Sequence, residues 1–286
     1  MAGNSPRVEE PAFVSHYIVQ YTDDEQERLN WQNRYCTKTI CDGKLICIPN
    51  IPLDSGDEIL DSATGTGIWL LDVAHQVNPN ISLTGIDISQ RLFPTQYPQN
   101  VTFAVHSVTN LPESWSNRFK VANQRLLSGA LTHEQWGMAL SELYRILKPG
   151  GWIQLLESSP LEVKTSSGPM KRLTDAVAAL FVNKGLVLDI VETLDQRLKD
   201  AGFGNIKKQS VALPRLDSQD LDSEFEGLKR LVTAGVQALK PALLATGMFE
   251  SEDEIGALSN GVDQEWNTPS RFLWSWTVIY AQKPDI

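Results

Sequence analysis

The sequence predicts an α/β fold in which a mostly parallel β-sheet carries helices on both faces. From Glu58 onward, short apolar segments typical of buried strands alternate with longer segments of helical character. This alternation requires parallel strands joined by crossover helices. Ligands of such sheets bind at the carboxyl ends of the strands, and polar residues stand at four predicted strand ends: Asp61, Asp87, Ser107 and Asn123.

A helix is predicted ahead of the sheet, over residues 22–40. Thr22 and Glu25 have the spacing of a capping box, and apolar residues follow at approximately helical intervals. Residues 1–20 contain Pro6 and Pro11 and have little periodicity, so they are expected to form a loose arm. The stretch 41–55, which is rich in Gly and Pro, is expected to be a connector.

The alternation predicts six strands and several helices in chain order. The strands are expected at 58–62, 82–87, 101–105, 119–124, 151–157 and 205–212. The helices are expected at 67–77, 89–93, 132–147 and between 169 and 201. Residues 216–260 are acidic and helix-prone, and they fall outside the alternation.

The first predicted strand runs into a glycine turn that is typical of nucleotide-type cofactor sites. Gly65 and Gly67 lack Cβ atoms, so the backbone can adopt positive φ and come close to a ligand. Twenty positions after Gly67 comes Asp87, a carboxylate that would accept both ribose hydroxyls. Leu70 stands where a dinucleotide site has a third glycine, which favours ribose and adenine without phosphates. A purely steric turn remains the alternative.

Three motifs combine in this region: Asp61-x-Ala63-x-Gly65-x-Gly67, then Asp87, then Leu147-Lys148-Pro149-Gly150-Gly151-Trp152. The combination resembles the class I methyltransferases that use S-adenosylmethionine. A narrower resemblance, to the branch found in fungal secondary metabolism, rests on Glu27-Arg28-Leu29-x-x-Gln32, Gly65-Thr66-Gly67-Ile68-Trp69, Arg125-Leu126-Leu127-Ser128-Gly129 and Gln282-Lys283-Pro284. It spans roughly Tyr21 to Pro284.

The resemblance implies a Rossmann-like sheet of seven strands whose last strand, Arg271 to Gln282, runs antiparallel. It also implies that the helical segment before this strand is an insertion that forms a lid over the substrate. We therefore expect an N-terminal arm and helical lid over residues 1–55, a cofactor-binding core over 56–215, a helical cap over 216–270, and a final core strand over 271–286.

The candidate cofactor residues follow from the turn, the strand ends and the resemblance. Asp61 is placed near the amino group of the methionine part, and Asp87 at the ribose. Ser107 stands where the family has an acid for the adenine amino group, so Ser107 or His106 would replace it through a weaker hydrogen bond. The full predicted set is Tyr21, Arg28, Asp61, Ala63, Gly65, Gly67, Asp87, Ile88, Ser107, Val108 and Asn123.

Candidates for catalysis are fewer, because methyl transfer from a sulfonium mainly requires alignment and exclusion of water. His133 is the first choice for a base, with a role in starting a helix as the alternative. Glu157 is the second, with a structural ion pair as the alternative. Aromatic residues of the lid would suit a flat apolar acceptor, and the predicted substrate pocket comprises Tyr17, Trp31, Gln124 and Trp266.

Composition excludes several other classes of protein. A net charge of −10 argues against a nucleic-acid partner, and no apolar run approaches the roughly eighteen residues of a membrane span. We expect cytoplasmic residence. Cys36, Cys41 and Cys47 lack the spacing of a metal site, so reduced thiols and no metal are expected. The sequence leaves open whether the chain is a monomer or a homodimer.

Three functions fit these observations. The first is methyl transfer from S-adenosylmethionine to an O, N or S atom of a small-molecule secondary metabolite. The second is a cyclisation or rearrangement on the same fold without methyl transfer, and the third is a non-catalytic regulator. The glycine turn and Asp87 favour the first two, because they shape a ligand site, whereas Ser107 departs from the methyltransferase pattern.

Overall fold

A computed structural model describes residues 23–159, 162–163, 167–215, 219–266 and 272–285 of the chain. Its strands are β1 Glu58–Ser62, β2 Ser82–Asp87, β3 Val101–Val105, β4 Phe119–Arg125, β5 Leu147–Ser158, β6 Glu162–Val163, β7 Gly204–Leu213 and β8 Phe272–Gln282. Its helices are α1 Asp23–Thr39, α2 Ile68–Ala74, α3 His133–Ile146, α4 Pro169–Asn183, α5 Ile190–Asp200, α6 Leu221–Leu244 and α7 Glu252–Glu265.

The main sheet has the strand order β3-β2-β1-β4-β5-β8-β7. The strands from β3 to β5 are parallel, and β8 runs antiparallel to both of its neighbours. The two-residue strand β6 pairs with the start of β8. The predicted seven-stranded, mostly parallel sheet with an antiparallel last strand is therefore confirmed. The strand order reverses at β1, which lies between β2 and β4, and this is the switch point at which such sheets bind ligands.

Helices cover both faces of the sheet, which explains why β1 is apolar without alternation. Ile59 and Leu60 are adjacent and both are fully buried. Ile59 packs in the cluster that contains Trp69 and Leu70 of α2, whereas Leu60 packs with residues of α3 and α5 on the opposite face. Strands that are buried on both faces have nearly continuous apolar sequences.

A third apolar cluster joins α1, α4, α6 and α7 above the end of β8. We call these four helices the cap. Local signals set several of the helix starts: Thr132 and Gln135 form a capping box at α3, and Ser251 accepts the backbone N–H of Glu254 at α7. None of the described helices is both long and apolar enough to cross a bilayer.

The predicted short helix at 89–93 is wrong. Asp87 Oδ1 accepts the N–H of Ser89 at 3.3 Å, and the N–H of Phe93 donates to the carbonyl of Gln90 at 3.1 Å. These contacts form separate turns, because short polar side chains compete with helical hydrogen bonding. Pro94 then follows. The turns leave the carboxyl end of β2 open beside the pocket described next.

Candidate active site

A pocket with a volume of about 370 Å³ opens at the carboxyl ends of the parallel strands. Its lining comes from the segments that follow β1, β2, β3 and β4, and from α1, α4, α6 and β8. The volume lies within the range of small-molecule sites. The switch point of the sheet and the cap thus enclose one site.

The glycine turn after β1 forms one wall of this pocket. Gly67 has a φ of 73° and precedes α2, and a Cβ at this position would lie 2.6 Å from the ring of Phe103. A side chain is therefore excluded, and Gly67 allows the turn to pack against β3 without lining the pocket itself. Gly65, which also has positive φ, lines the pocket directly.

Asp87 is tied to this turn. Its Oδ2 accepts the N–H of Gly65 at 2.9 Å, and its Oδ1 accepts the N–H of Ser89 at 3.3 Å. Burial raises the pKa of this carboxyl above its ordinary value. Each carboxylate oxygen can accept more than one hydrogen bond, so Asp87 can hold the turn and still receive ligand hydroxyls.

Asp61 lies at the pocket floor and is almost fully buried. Its Oδ1 accepts a hydrogen bond from Asn123 Nδ2 at 2.7 Å, and its Oδ2 accepts one from Thr64 Oγ1 at 2.6 Å. Burial raises the pKa of Asp61 to about 6. Asn123 is fully buried behind Asp61 and does not line the pocket, so it orients the carboxylate rather than contacting a ligand.

The wall that follows β2 and β3 is weakly polar. His106 lines it with its ring edge-on to Trp115, at 5.2 Å between centroids, and burial lowers the pKa of the imidazole. The Ser107 hydroxyl is engaged locally, 2.7 Å from Thr109 Oγ1. Ile88 and Val108 complete the wall with apolar side chains.

Most of the predicted cofactor residues meet in this pocket. Those that line it are Arg28, Asp61, Ala63, Gly65, Asp87, Ile88, Ser107 and Val108. Gly67 and Asn123 lie behind the wall, so their prediction as direct contacts is not supported. Tyr21 lies outside the described residues. Sequence reasoning missed Thr64, Thr66 and Trp69, which the glycine turn and the start of α2 bring to the same wall.

Helix α1 closes the pocket from above. Thr66 Oγ1 in the glycine turn donates to Asn30 Oδ1 at 2.6 Å. One turn of α1 carries the ion pair between Arg28 and Glu25, in which Arg28 Nε lies 2.6 Å from Glu25 Oε2. Further along, Asn33 and Thr37 accept hydrogen bonds from Arg125, at the end of β4. These contacts fix α1 over the carboxyl ends of β1 and β4.

The part of the pocket between α4, α6 and β8 has a different character. We call it the cap chamber, and its described residues are Leu126, Ser158, Val177, Phe181, Gly235, Leu239, Trp274 and Trp276. None of these eight carries an ionisable side chain, whereas Arg28 and Cys36 of α1 and Arg125 line the adjoining part of the pocket. Sequence reasoning predicted a cap from 216–270 but missed the contribution of α4, because the apolar residues of an amphipathic helix do not reveal which of them face a ligand rather than the core.

The two predicted bases lie outside the pocket. His133 is exposed at the start of α3, and its Nδ1 accepts a hydrogen bond from Arg197 at 2.8 Å. Glu157 is fully buried and accepts the N–H groups of Leu127 at 2.8 Å and Ser128 at 3.1 Å. Glu157 therefore positions the loop that lines the pocket, and neither residue is placed to take a proton from a ligand.

Glu157 is expected to make the unliganded protein less stable as the pH rises. Burial raises its pKa to about 7 from 4.5, so its stabilising contribution is complete below the unfolded pKa and is lost as the pH rises through the folded pKa. The loss should be on the order of 3 kcal/mol at most. Urea unfolding of the wild type and Glu157→Gln between about pH 4.5 and about pH 8 measures it.

The two proteins are compared by how their unfolding free energies change with pH, not by the free energies themselves. Glutamine replaces one carboxylate acceptor with an amide donor and so disturbs the loop at every pH. We expect the downward trend of the unfolding free energy to be stronger in the wild type than in Glu157→Gln. Equal pH dependence in both proteins would contradict the assignment.

The predicted substrate residues also lie elsewhere. Trp31 stacks on Tyr35 between α1 and α6, with Arg230 4.5 Å above its ring. Trp266 is buried in the cap, edge-on to Phe225. Gln124 is buried within the sheet, where Ser62 Oγ donates to it at 3.4 Å. None of the three lines the pocket, so the structure does not bring them to it; Tyr17 lies outside the described residues.

Known proteins provide the deciding comparison. A family model described as a methyltransferase domain matches residues 59–151, which contain the glycine turn, Asp61 and Asp87. The N-methyltransferase gliN of Aspergillus fumigatus is 36% identical over 217 residues, which cover 71% of this chain and 73% of the relative. The chain belongs to the class I S-adenosylmethionine-dependent methyltransferases.

Other fungal relatives of this methyltransferase agree. The N-methyltransferase sirN of Leptosphaeria maculans is 38% identical over 148 residues, a match that spans 51% of each chain. The N-methyltransferase verN of Clonostachys rogersoniana is 28% identical over 280 residues, 94% of this chain and 93% of the relative. The predicted membership in the branch of fungal secondary metabolism is confirmed, and the methyltransferase acts on small molecules.

Solved structures support the fold. Phosphoethanolamine N-methyltransferase 2 of Haemonchus contortus in complex with S-adenosyl-L-methionine aligns with a TM-score of 0.56 at 17% identity, covering 96% of this methyltransferase and 61% of that chain. At this identity the likeness concerns the architecture alone.

Proposed function

We propose that this methyltransferase transfers the methyl group of S-adenosylmethionine to a nitrogen atom of a small-molecule secondary metabolite. One observation carries the choice of nitrogen: no described residue of the cap chamber has an ionisable side chain. A hydroxyl or thiol acceptor benefits from a nearby base, whereas a free amine need only be unprotonated. The printed names of gliN, sirN and verN, all N-methyltransferases, support the same choice.

The pocket chemistry suggests how the cofactor is held. We assign the ammonium of its methionine part to Asp61 and the ribose hydroxyls to Asp87, since both carboxylates face the pocket with acceptor capacity remaining. The imidazole of His106 and the apolar side chains of Ile88 and Val108 line the wall to which we assign adenine. When bound, the cofactor supplies a sulfonium methyl group, and the chain itself aligns the reactants and excludes water.

The same assignment relates the regions of the chain to the two ligands. The core at 56–215 supplies the cofactor wall, and the final strand at 271–286 completes its sheet. The acceptor is covered by α1 within residues 1–55 and the helices within 216–270, together with α4 and the first residues of β8. The contacts of α1 with the glycine turn and with Arg125 support this division, because they link the cover directly to the cofactor wall.

Incubation with methyl-labelled S-adenosylmethionine tests the proposal. A panel of weakly basic amines that are uncharged near neutral pH, phenols and thiols, all of metabolite size, should yield label in the amines, with little in the other two classes. Label confined to phenols or thiols would contradict nitrogen as the acceptor. Tight binding of the cofactor without any transfer would favour the cyclisation or rearrangement, and failure of both cofactor and demethylated product to bind would refute the methyl-transfer proposal itself.

A further inference from the structure

A glycine interrupts the pocket face of the longest described helix. Gly235 lies in the interior of α6, which spans 24 residues, and it lines the cap chamber. Glycine is the poorest helix former after proline, so its presence in a helix interior calls for a reason. Packing does not provide one, because a Cβ built at Gly235 meets no atom within 4 Å. The space beside Gly235 is therefore open.

The other residues of the chamber are mostly apolar. Val177 and Phe181 approach from α4, and Leu239 lies one helical turn beyond Gly235. On β8, the rings of Trp274 and Trp276 lie 4.9 Å apart between centroids. Trp274 Nε1 donates to the carbonyl of Ser159 at 2.8 Å, which fixes its ring orientation. Such a site presents large flat surfaces at little entropic cost.

Charge is also absent from these walls. Ser158 is the one residue with a polar side-chain group, apart from the indole N–H groups, among the described residues of the cap chamber. Moving a charged group from water into such surroundings without a partner is strongly unfavourable. A charged group that enters the chamber and finds no partner there is therefore disfavoured by desolvation.

We propose that Gly235 determines the size of the acceptor, and that the acceptor is an uncharged molecule whose ring system occupies the gap that Gly235 leaves in the chamber it shares with Trp274 and Trp276. This inference rests on the proposed function, in that it takes the cap chamber as the acceptor site. It adds the class of acceptor and one residue that selects for it.

Ligand-detected NMR with three probes that share one ring tests both parts. Indole-3-acetamide is neutral, indole-3-acetate is anionic and tryptamine is cationic near neutral pH, and each is titrated in the presence of S-adenosylhomocysteine. The proteins are the wild type, Gly235→Leu and the matched control Gly256→Leu. Gly256 also lies within a cap helix, its Cβ would meet no atom within 4 Å, and it does not line the pocket.

We expect the wild type to bind the amide roughly tenfold or more tightly than either charged probe. Gly235→Leu should lose amide affinity by roughly tenfold or more, because its side chain fills the gap, and Gly256→Leu should bind as the wild type does. Equal binding of neutral and charged probes, no binding of the amide to the wild type, or unchanged binding to Gly235→Leu would overturn the inference.

Calorimetry with S-adenosylhomocysteine separates this inference from the proposed function. All three proteins should bind it equally, which also shows that Gly235→Leu is folded. If the wild type does not bind S-adenosylhomocysteine, the proposed function fails. The effect of Gly235→Leu on the indole probes, titrated then without S-adenosylhomocysteine, still decides the size-determining role.

Discussion

Asp87→Ala is expected to weaken cofactor binding by about 1 to 3 kcal/mol, roughly five- to 150-fold in affinity. The residue is half-buried, and its carboxylate accepts the N–H of Gly65 at 2.9 Å while it lines the pocket. Its removal leaves the ribose hydroxyls without an acceptor and releases the glycine turn. Calorimetric titration with S-adenosylhomocysteine measures the loss directly.

Two controls make this result specific. Asp189→Ala removes an exposed aspartate that does not line the pocket, and its affinity for S-adenosylhomocysteine should match that of the wild type. Adenosine and its 2′,3′-dideoxy analogue separate ribose recognition from the tethering of the turn. The wild type should prefer adenosine and Asp87→Ala should not. Unchanged affinity in Asp87→Ala would refute the ribose assignment.

Cofactor affinity is expected to fall as the pH is lowered through about 6, because Asp61 then takes up a proton. Burial raises the pKa of this carboxyl to about 6 in the unliganded protein, and only its ionised form attracts an ammonium group. Well below this pKa the affinity should decrease by up to about tenfold per pH unit. Titrations with S-adenosylhomocysteine between about pH 5 and about pH 8 give the profile.

Asp61→Asn is the matched variant, since asparagine has nearly the same shape but does not titrate. Its affinity should be lower than that of the wild type at neutral pH and nearly independent of pH in this range. Asp87→Ala, in contrast, should retain the dependence because Asp61 is intact. A wild-type profile that is flat across about pH 6 would contradict the contact between Asp61 and the ammonium.

The pocket wall at the glycine turn was predictable because it is built from residues that lie close together in the sequence. A strand end, a glycine turn and the next strand end follow one another within residues 58–88, and parallel pairing of β1 with β2 brings them together. Asp61, Gly65 and Asp87 therefore entered the pocket as expected. The need for a glycine at position 67 was predicted, but its reason was not. The ring of Phe103, which leaves no room for a side chain there, belongs to β3.

The two candidate bases lie outside the pocket for a different reason. His133 and Glu157 were chosen by their positions near strand ends, and such a position does not specify which way a side chain points. His133 accepts a hydrogen bond from Arg197 at the surface, whereas Glu157 is buried and accepts the backbone N–H groups of Leu127 and Ser128. A buried carboxylate at a strand end can hold a loop through backbone hydrogen bonds as readily as it can act as a base.

The α/β fold, the glycine turn and the two aspartates could be predicted from the amino-acid sequence, because they depend on apolar periodicity and on short spacings along the chain. The acceptor side could not be predicted in this way. The cap chamber combines α4, α6 and β8, which lie far apart in the sequence. The open space beside Gly235, on which its proposed role depends, is visible only in the folded structure. Shape formed by distant segments depends on packing, and packing leaves no local pattern in the chain.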